Sequence, residues 1–320
     1  MASKYISSLK LPSKKVLIFF GSCTGISLLI YRDNRLSKEA KISLVNKVSH
    51  LASEPLSTHE LPRRVTVYLA PPLGDGVYKT KIHFREYVLP VLNAAALEYD
   101  IVEGTKPGQL RSKVREAIRE KRKQELSPSS SQSSLSSTAD SDQPFKTITP
   151  SKPIDGGTIV IGRISWIEYL QGLNEGCIAS LEDPPSKQTK SDLNSEQADQ
   201  QSDKSDTSQD KNNSNEESEP EFIISEKDFS VPELDSIGYI HFYNRIGWKN
   251  FPLRLYYALN SYKEFDLAGE DAVKVALGNT RQFKKDDLNL GKDEENFFKG
   301  TLNEPTTINE RIIAKLSMYT

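Results

Sequence analysis

The feature that most constrains this chain is an uncharged apolar run near its amino terminus, residues 16–31, which reads VLIFFGSCTGISLLIY. As an α-helix the run is roughly 24 Å long, somewhat shorter than the bilayer hydrocarbon core of about 30 Å. The flanking Lys14, Lys15 and Arg32 can extend their charged ends to the headgroups and so lengthen the span. Because the run continues into charged sequence without a small-residue cleavage site, it predicts one uncleaved transmembrane helix; a cleaved secretory signal is the alternative.

The charges around this run predict its orientation. The segment before it, residues 1–15, contains four lysines and no acidic residue. A basic bias of this kind keeps the short segment on the positive-inside face of the membrane and places everything after residue 32 on the opposite face.

A pair of glycines inside the run is a candidate helix-packing site. Gly21 and Gly25 form a GxxxG spacing, which allows the backbone of a second helix to approach closely in lipid. The alternative is that glycine is simply common in membrane-spanning helices.

Composition and charge argue against several classes of function. The net charge of −2 predicts no general affinity for nucleic acid, because phosphate binding needs a concentrated basic surface. The chain has two cysteines and four scattered histidines, which predicts neither a disulfide framework nor a metal site. We expect no cofactor and no small-molecule substrate.

The order of polar and apolar segments predicts an α/β fold interrupted by two inserts. Two segments rich in Ser, Asp, Gln and Lys are too polar to bury a core, so we predict that they are disordered. The predicted division is an amino-terminal segment (1–15), a transmembrane helix (16–31), a polar stalk (32–60), the first part of an α/β domain (61–126), a Ser-rich linker (127–150), the second part of that domain (151–183), an acidic and polar insert (184–220) and a carboxyl-terminal part with an aromatic-rich helix (221–320).

The strongest folded signal is a β–loop–α–β unit. The β-branched and aromatic residues of 64–70 predict a strand, and apolar residues at helical spacing follow from Phe84 to Ala95. Pro90 should kink or split that helix, and residues 98–104 predict a second strand. Such a unit implies two parallel strands joined by a helical crossover. Further strands are predicted in TIVIG (158–162) and in residues 237–244.

Residues 108–125 predict a helix with Leu110, Val114, Ala117 and Ile118 on its apolar side and a strongly basic opposite face. The basic face has two interpretations. It is either a solvated surface or a contact for anionic headgroups or an acidic partner.

The loop at Gly74, Asp75 and Gly76 follows a strand and precedes a helix, which is where many enzymes hold a phosphate. The sequence around it completes neither the GxxxxGK[ST] nor the GxGxxG motif, and two prolines precede it. We therefore interpret it as a structural turn and name no catalytic residue.

An aromatic stretch at 247–265 contains Trp248, Phe251, Tyr256 and Tyr257, with Pro252 in the first turn of a predicted helix. These rings could form core, or they could face a membrane or a partner, since Trp and Tyr suit surfaces that are apolar at one end and wet at the other.

The order of strand, glycine-containing loop, helix and later DGGTIVIG resembles the amino-terminal half of diacylglycerol-kinase-like lipid kinases, which implies a Rossmann-like α/β domain. Those enzymes hold ATP phosphates with a GGDGT loop after the later strand. Here Gly162 is followed by Arg163, Ile164 and Ser165, whose side chains prevent a close backbone approach to phosphate.

The blocks RRVTVYLAPPLGDG, REYVLPVLNAAALEYDIVEG, GTIVIGRISWIEYLQGL and GWKNFPLRLYYALNSYK together resemble the subunit fifty-four family of the mitochondrial import inner membrane translocase, a fungal carrier translocase complex. The resemblance covers roughly residues 14–125, 156–175 and 237–290. The chain looks short for that family, which puts any function of a longer carboxyl-terminal part in doubt.

This resemblance implies a non-enzymatic subunit that scaffolds the complex and helps dock the small Tim chaperones during insertion of multi-spanning proteins. The implied partners are the pore-forming subunit, the small Tim chaperone complex and membrane lipid. The implied location is the mitochondrial inner membrane, with the amino terminus in the matrix and the soluble domain in the intermembrane space. Two alternatives stay open: a membrane-anchored lipid-kinase-like or lipid-binding protein, and a general membrane tether that uses the basic helix 108–125.

Overall fold

A computed structural model describes residues 13–55, 62–126, 155–181, 229–297 and 307–320. The two segments that we predicted to be disordered, 127–150 and 184–220, lie outside the described residues, as do residues 1–12.

A mixed sheet of six strands forms the centre of the described part, in the order β2-β1-β3-β4-β6-β5. The strands are β1 (Arg64–Leu69), β2 (Glu98–Glu103), β3 (Asp155–Ile161), β4 (Ile237–Ile240), β5 (Thr280–Gln282) and β6 (Ser317–Tyr319). Strands β1, β2, β3, β4 and β6 run parallel, and β5 pairs antiparallel with β6. Val67 of β1 lies opposite Ile101 on one side and Ile159 on the other. The predicted parallel pair of β1 and β2 is confirmed.

The helices are α1 (Lys14–Val48), α2 (Tyr78–His83), α3 (Leu89–Ala94), α4 (Gln109–Leu126), α5 (Gly162–Ile178), α6 (Phe251–Ala258), α7 (Tyr262–Glu264), α8 (Glu270–Leu277) and α9 (Glu310–Ile313). Short 3₁₀ turns span Leu51–Ser53, Trp248–Asn250, Lys285–Asn289 and Lys292–Phe297. Segments of π-helix span Phe84–Val88 and Phe265–Gly269.

Two hydrophobic clusters, one on each face of the sheet, hold the helices in place. Successive residues of β3 point to opposite faces, so Ile159 and Ile161 join one cluster and Val160 joins the other. Helices α1, α3 and α8 contribute to the first cluster, and α4, α5 and α9 contribute to the second. The sheet is therefore the middle layer of three.

The crossover between β1 and β2 is helical but irregular, as Pro90 predicted. The π-helical segment Phe84–Val88 lies between α2 and α3, and Pro90 is in the first turn of α3. Proline cannot donate a backbone hydrogen bond and its ring crowds the preceding turn, so the wider π-helical turn accommodates it.

The apolar run and the first part of the predicted polar stalk form one continuous helix. Helix α1 continues without a break to Val48 and is roughly 50 Å long. Leu44 and Val48, one turn apart, belong to the first cluster and have exposed fractions of 4% and 0%. The second half of α1 is thus part of the domain, in contact with α3, α7 and α8.

Several basic residues of α4 are used inside the domain. Arg119 and Arg122 are buried, and Arg122 donates hydrogen bonds of 2.7 Å to the carbonyl oxygens of Gly176 and Ala179. Arg115 forms an ion pair with Glu175, and Lys121 pairs with Asp235. Arg122 satisfies carbonyl groups at the carboxyl end of α5 that lack helical partners, and with the Arg115–Glu175 ion pair it locks α4 onto α5.

Candidate functional site

The first place to look for a ligand site is the crevice at the carboxyl ends of β1 and β3. In open parallel sheets, ligands bind outside the carboxyl ends of the strands where the strand order reverses. The order β2-β1-β3-β4 reverses between β1 and β3. The loop with Gly74, Asp75 and Gly76 leaves β1 at this point, and α5 begins directly after β3.

The loop after β1 is a tight turn tied to its surroundings. Gly74 has a left-handed backbone with φ of 84°, and the Asp75 N–H donates to the carbonyl of Pro72 at 3.1 Å. The Ala70 N–H donates to Ser165 Oγ at 2.9 Å, and Thr80 Oγ1 donates to the Ala70 carbonyl at 3.0 Å. The backbone groups at the end of β1 are therefore occupied within the protein.

A carboxylate from another part of the chain fills the crevice. Glu294, in the 3₁₀ turn Lys292–Phe297, is buried with an exposed fraction of 1%. Its Oε2 accepts a hydrogen bond of 2.8 Å from the Arg163 N–H at the start of α5. Its Oε1 accepts from the Phe242 N–H at 2.9 Å and from the Tyr239 hydroxyl at 2.6 Å. Glu294 thus occupies the anion position that the amino end of α5 offers.

Gly162 makes this arrangement possible. It has φ of 78°, and a Cβ there would lie 3.2 Å from Phe242 Cβ and 3.7 Å from Glu294 Oε2. A side chain would be strained in this left-handed conformation and would crowd the residues that carry the carboxylate.

Arg163 fixes the segment that carries Glu294. Its Nη1 donates to the carbonyl oxygens of Leu288 and Leu290 at 2.8 and 2.9 Å, and its Nε donates to Glu295 at 2.8 Å. Arg163 therefore holds a part of the chain across the crevice.

The filled crevice has almost no free volume, and the pKa of its glutamate is raised. The cavity that remains is about 10 Å³, no more than a single water molecule requires. Burial raises the pKa of Glu294 to about 7, against the opposing effect of its three hydrogen bonds. Sequence reasoning missed Glu294, because it lies in the acidic string KDEENF, which is typical of a solvated loop.

Two histidines lie next to the carboxyl end of β4: His241 directly follows the strand, and His83 contacts the backbone of His241. Burial lowers the pKa of His83 to about 4, and its neutral Nε2–H donates to the His241 carbonyl at 3.0 Å. The hydrogen bond with Asp271, 2.6 Å from Nδ1 to Oδ2, raises the pKa of His241. Asp271 also accepts from Lys274 at 2.8 Å, so the pair belongs to an ion cluster that ties α8 to the sheet.

The glycine pair of the anchor lies on an open helix surface. Helix α1 is long and apolar enough to cross a membrane, and its apolar half is not buried by the described part of the domain. A Cβ on Gly21 or Gly25 would meet no described atom within 4 Å. Residues 16–31 are exposed along their whole length.

The aromatic residues for which the sequence allowed either a core or a surface position lie mainly on the surface. Trp248 has an exposed fraction of 86%, and Phe251 and Tyr256 are about half exposed. Tyr257 is half-buried beneath Arg245, whose guanidinium carbon is 3.5 Å from the ring centroid. Among the described residues, no group of three or more His, Cys, Asp and Glu side chains is placed to hold a metal ion.

Fold and site together define a mixed α/β protein with one long apolar amino-terminal helix and a sheet crevice filled by its own glutamate. Residues 5–229 match the family described as "Inner membrane protein import complex subunit Tim54". The chain belongs to this family.

Three relatives carry the name "Mitochondrial import inner membrane translocase subunit tim54". The Schizosaccharomyces pombe protein is 32% identical over 299 residues, which cover 89% of this chain and 83% of the relative. The Aspergillus oryzae protein is 33% identical over 296 residues, which cover 85% of this chain and 66% of the relative. The Aspergillus fumigatus protein is 36% identical over 173 residues, 53% of this chain and 39% of the relative. The chain thus spans less than two thirds of the length of the two Aspergillus relatives.

Proposed function

We propose that this chain is a non-enzymatic subunit of the inner-membrane carrier translocase, which scaffolds the complex and helps dock small intermembrane-space chaperones. The names of its relatives as import translocase subunits support the first part. In this proposal α1 crosses the mitochondrial inner membrane with its amino terminus in the matrix. Gly21 and Gly25 pack against the pore-forming subunit, and the α/β domain receives the small Tim chaperone complex in the intermembrane space.

The continuity of α1 is the observation that carries the scaffold role. The helix runs from Lys14 to Val48 without a break, and Leu44 and Val48 are packed in the core of the domain. A continuous helix contains no flexible hinge, so a partner bound to the membrane half of α1 also fixes the orientation of the domain. If a flexible stalk joined the two, a partner in the membrane would not fix the orientation of the domain.

The filled crevice supports a non-enzymatic role. The strand order favours the Rossmann-like part of the expected fold, since β2-β1-β3-β4 has the arrangement of doubly wound sheets. The lipid-kinase alternative has less support, because Glu294 occupies the amino end of α5 and would repel a phosphate there. Purified protein incubated with ATP, magnesium and diacylglycerol or sphingosine should show no turnover; robust phosphorylation of either lipid would contradict the proposal.

The tether alternative also loses support from the structure. The basic residues of α4 bind the carboxyl end of α5 and Asp235, so fewer charges are available for anionic lipid. Contact with headgroups through α4 would require several of these internal hydrogen bonds to break.

The scaffold role can be tested in the anchor. Replacing Gly21 and Gly25 together by leucine should release the protein from its complex on a native gel, because leucine side chains hold a neighbouring helix away. Cys23→Leu is a matched control, since at about 100° per residue it lies on the opposite side of α1. All variants should remain membrane-integrated after alkaline extraction. An intact complex in the double variant would rule out this role for the glycines.

A further inference from the structure

Helix α6 is unusual because it buries none of its own residues. Its sequence is FPLRLYYA, with Arg254 as its only charged residue. Phe251, Leu253 and Leu255 have exposed fractions between 42% and 54%, and Trp248 in the preceding 3₁₀ turn is the most exposed large apolar side chain of the described residues. An apolar helix that buries none of its residues in its own domain is best covered by an apolar environment from outside.

The end of α6 is attached to α1 where the apolar run stops. Arg32, the first charged residue after the run 16–31, donates from Nη2 to Asn260 Oδ1 at 2.6 Å. One residue later in each segment, Ser261 Oγ donates to Asp33 Oδ2 at 2.7 Å. Asn260 follows Ala258, the last residue of α6, by two positions. These contacts attach the carboxyl end of α6 to α1 at the point where the apolar run ends.

The charges around α6 suit an anionic headgroup layer. Residues 245–263 contain four basic side chains and no acidic one. Arg245 is used internally, in an ion pair of 2.7 Å with Glu264, whereas Lys249 and Arg254 are exposed. Exposed cations beside exposed aromatic rings are the composition of helices that lie at membrane interfaces.

We propose that residues 248–258 lie in the headgroup region of the bilayer that α1 crosses, as a second membrane contact of the same chain. Trp248, Phe251 and Leu255 enter the boundary between headgroups and acyl chains, and Lys249 and Arg254 reach lipid phosphates. The proposal rests on α1 as a membrane span and not on its partner subunit. One span alone allows the domain to rotate about the helix axis, and a second contact removes that freedom.

Trp248 is a natural reporter for this contact. The full-length protein is reconstituted into vesicles of phosphatidylcholine and phosphatidylglycerol in which part of the phosphatidylcholine is brominated close to the headgroup or near the chain ends. Bromine quenches only nearby tryptophans. The other tryptophan, Trp166, is fully buried in the domain and donates its Nε1–H to the Asp287 carbonyl. The Trp248→Phe variant therefore supplies the background signal.

The expected result is strong quenching of the wild type by lipid brominated near the headgroup, weaker quenching by lipid brominated near the chain ends, and none in Trp248→Phe. Phe251→Glu with Leu255→Glu should reduce the quenching at least twofold, and both positions are exposed, so the fold is retained. Equal fluorescence of the wild type in brominated and plain vesicles would overturn the proposal.

Discussion

The buried glutamate gives the sharpest test of how the crevice is closed. Glu294→Ala removes the common acceptor of three buried donors: the backbone N–H groups of Arg163 and Phe242 and the hydroxyl of Tyr239. Each buried donor left without a partner costs about 1–3 kcal/mol. Water that enters the space of the lost side chain recovers part of this, so we expect a loss of roughly 3 kcal/mol near pH 5.

The pH dependence of this loss follows from the pKa of Glu294. The folded-state pKa of about 7 is above the ordinary value of 4.5, so the folded protein binds the proton more tightly than the unfolded chain. The contribution of Glu294 to stability is therefore complete below pH 4.5 and decreases as the pH rises through 7, by roughly 3 kcal/mol in total. The difference between wild type and Glu294→Ala should be largest at and below pH 4.5 and should shrink by pH 8.

Denaturant unfolding of the full-length protein in detergent, followed by tryptophan fluorescence, measures these differences. Asp293→Ala is the matched control, because Asp293 is an exposed neighbour and its removal should change stability by less than about 0.5 kcal/mol. Inorganic phosphate should stabilise Glu294→Ala but not the wild type, since the vacated amino end of α5 can accept an anion. Equal stability of Glu294→Ala and Asp293→Ala at pH 5 would refute this account. So would a stability difference between wild type and Glu294→Ala that grows as the pH rises.

Three further predictions use the same unfolding assay. Leu44→Ala should cost about 2–5 kcal/mol because α1 is part of the core, whereas Ile42→Ala, on the exposed side of α1, should cost less than about 0.5 kcal/mol; equal effects would mean that α1 is a stalk after all. The wild type should lose roughly 3 kcal/mol of unfolding free energy between pH 6.5 and pH 4, because protonation of buried His83 favours the unfolded chain, and His83→Gln should abolish this loss. The same loss of stability in the variant would contradict a buried, neutral imidazole. Arg122→Met should destabilise by roughly 3 kcal/mol at every pH between 5 and 8, since it leaves the carbonyls of Gly176 and Ala179 without this donor; a neutral effect would show that α4 is not locked to α5 by this side chain.

Local patterns in the sequence were sufficient for the unit that begins the domain. Alternating β-branched residues, a proline-containing loop and helical spacing from Phe84 to Ala95 predicted β1, the crossover and β2, and the structure has them in parallel. The interruption at Pro90 was also predictable, because a missing backbone donor acts on the residues immediately around it.

The features that the sequence did not reveal depend on contacts between distant residues. Leu44 and Val48 lie along one side of a polar segment, but the sequence does not show that Leu44 packs against Gly269, more than two hundred positions later. Glu294 and its donor Arg163 are separated by 131 positions. The basic residues of α4 could not be distinguished from a solvated face, because their acceptors are carbonyl groups at the end of another helix.

The aromatic helix shows a different limit. The residues from Trp248 to Tyr257 are equally typical of a core and of a membrane interface, so composition alone left both open. Their exposure in the structure argues against a core position, and the bond between Arg32 and Asn260 ties the end of α6 to the end of the apolar run.

Site-specific photo-crosslinking from α1 tests the central claim most directly, namely that the anchor packs on another membrane helix through Gly21 and Gly25. Ile18 and Leu28 flank the glycine face within about 40°, and Cys23 and Ile30 lie on the opposite side. A photoreactive residue at 18 or 28 should capture a membrane-spanning subunit of the complex, and the same group at 23 or 30 should capture far less. Equal protein crosslinks from all four positions, or lipid adducts alone at 18 and 28, would contradict the claim.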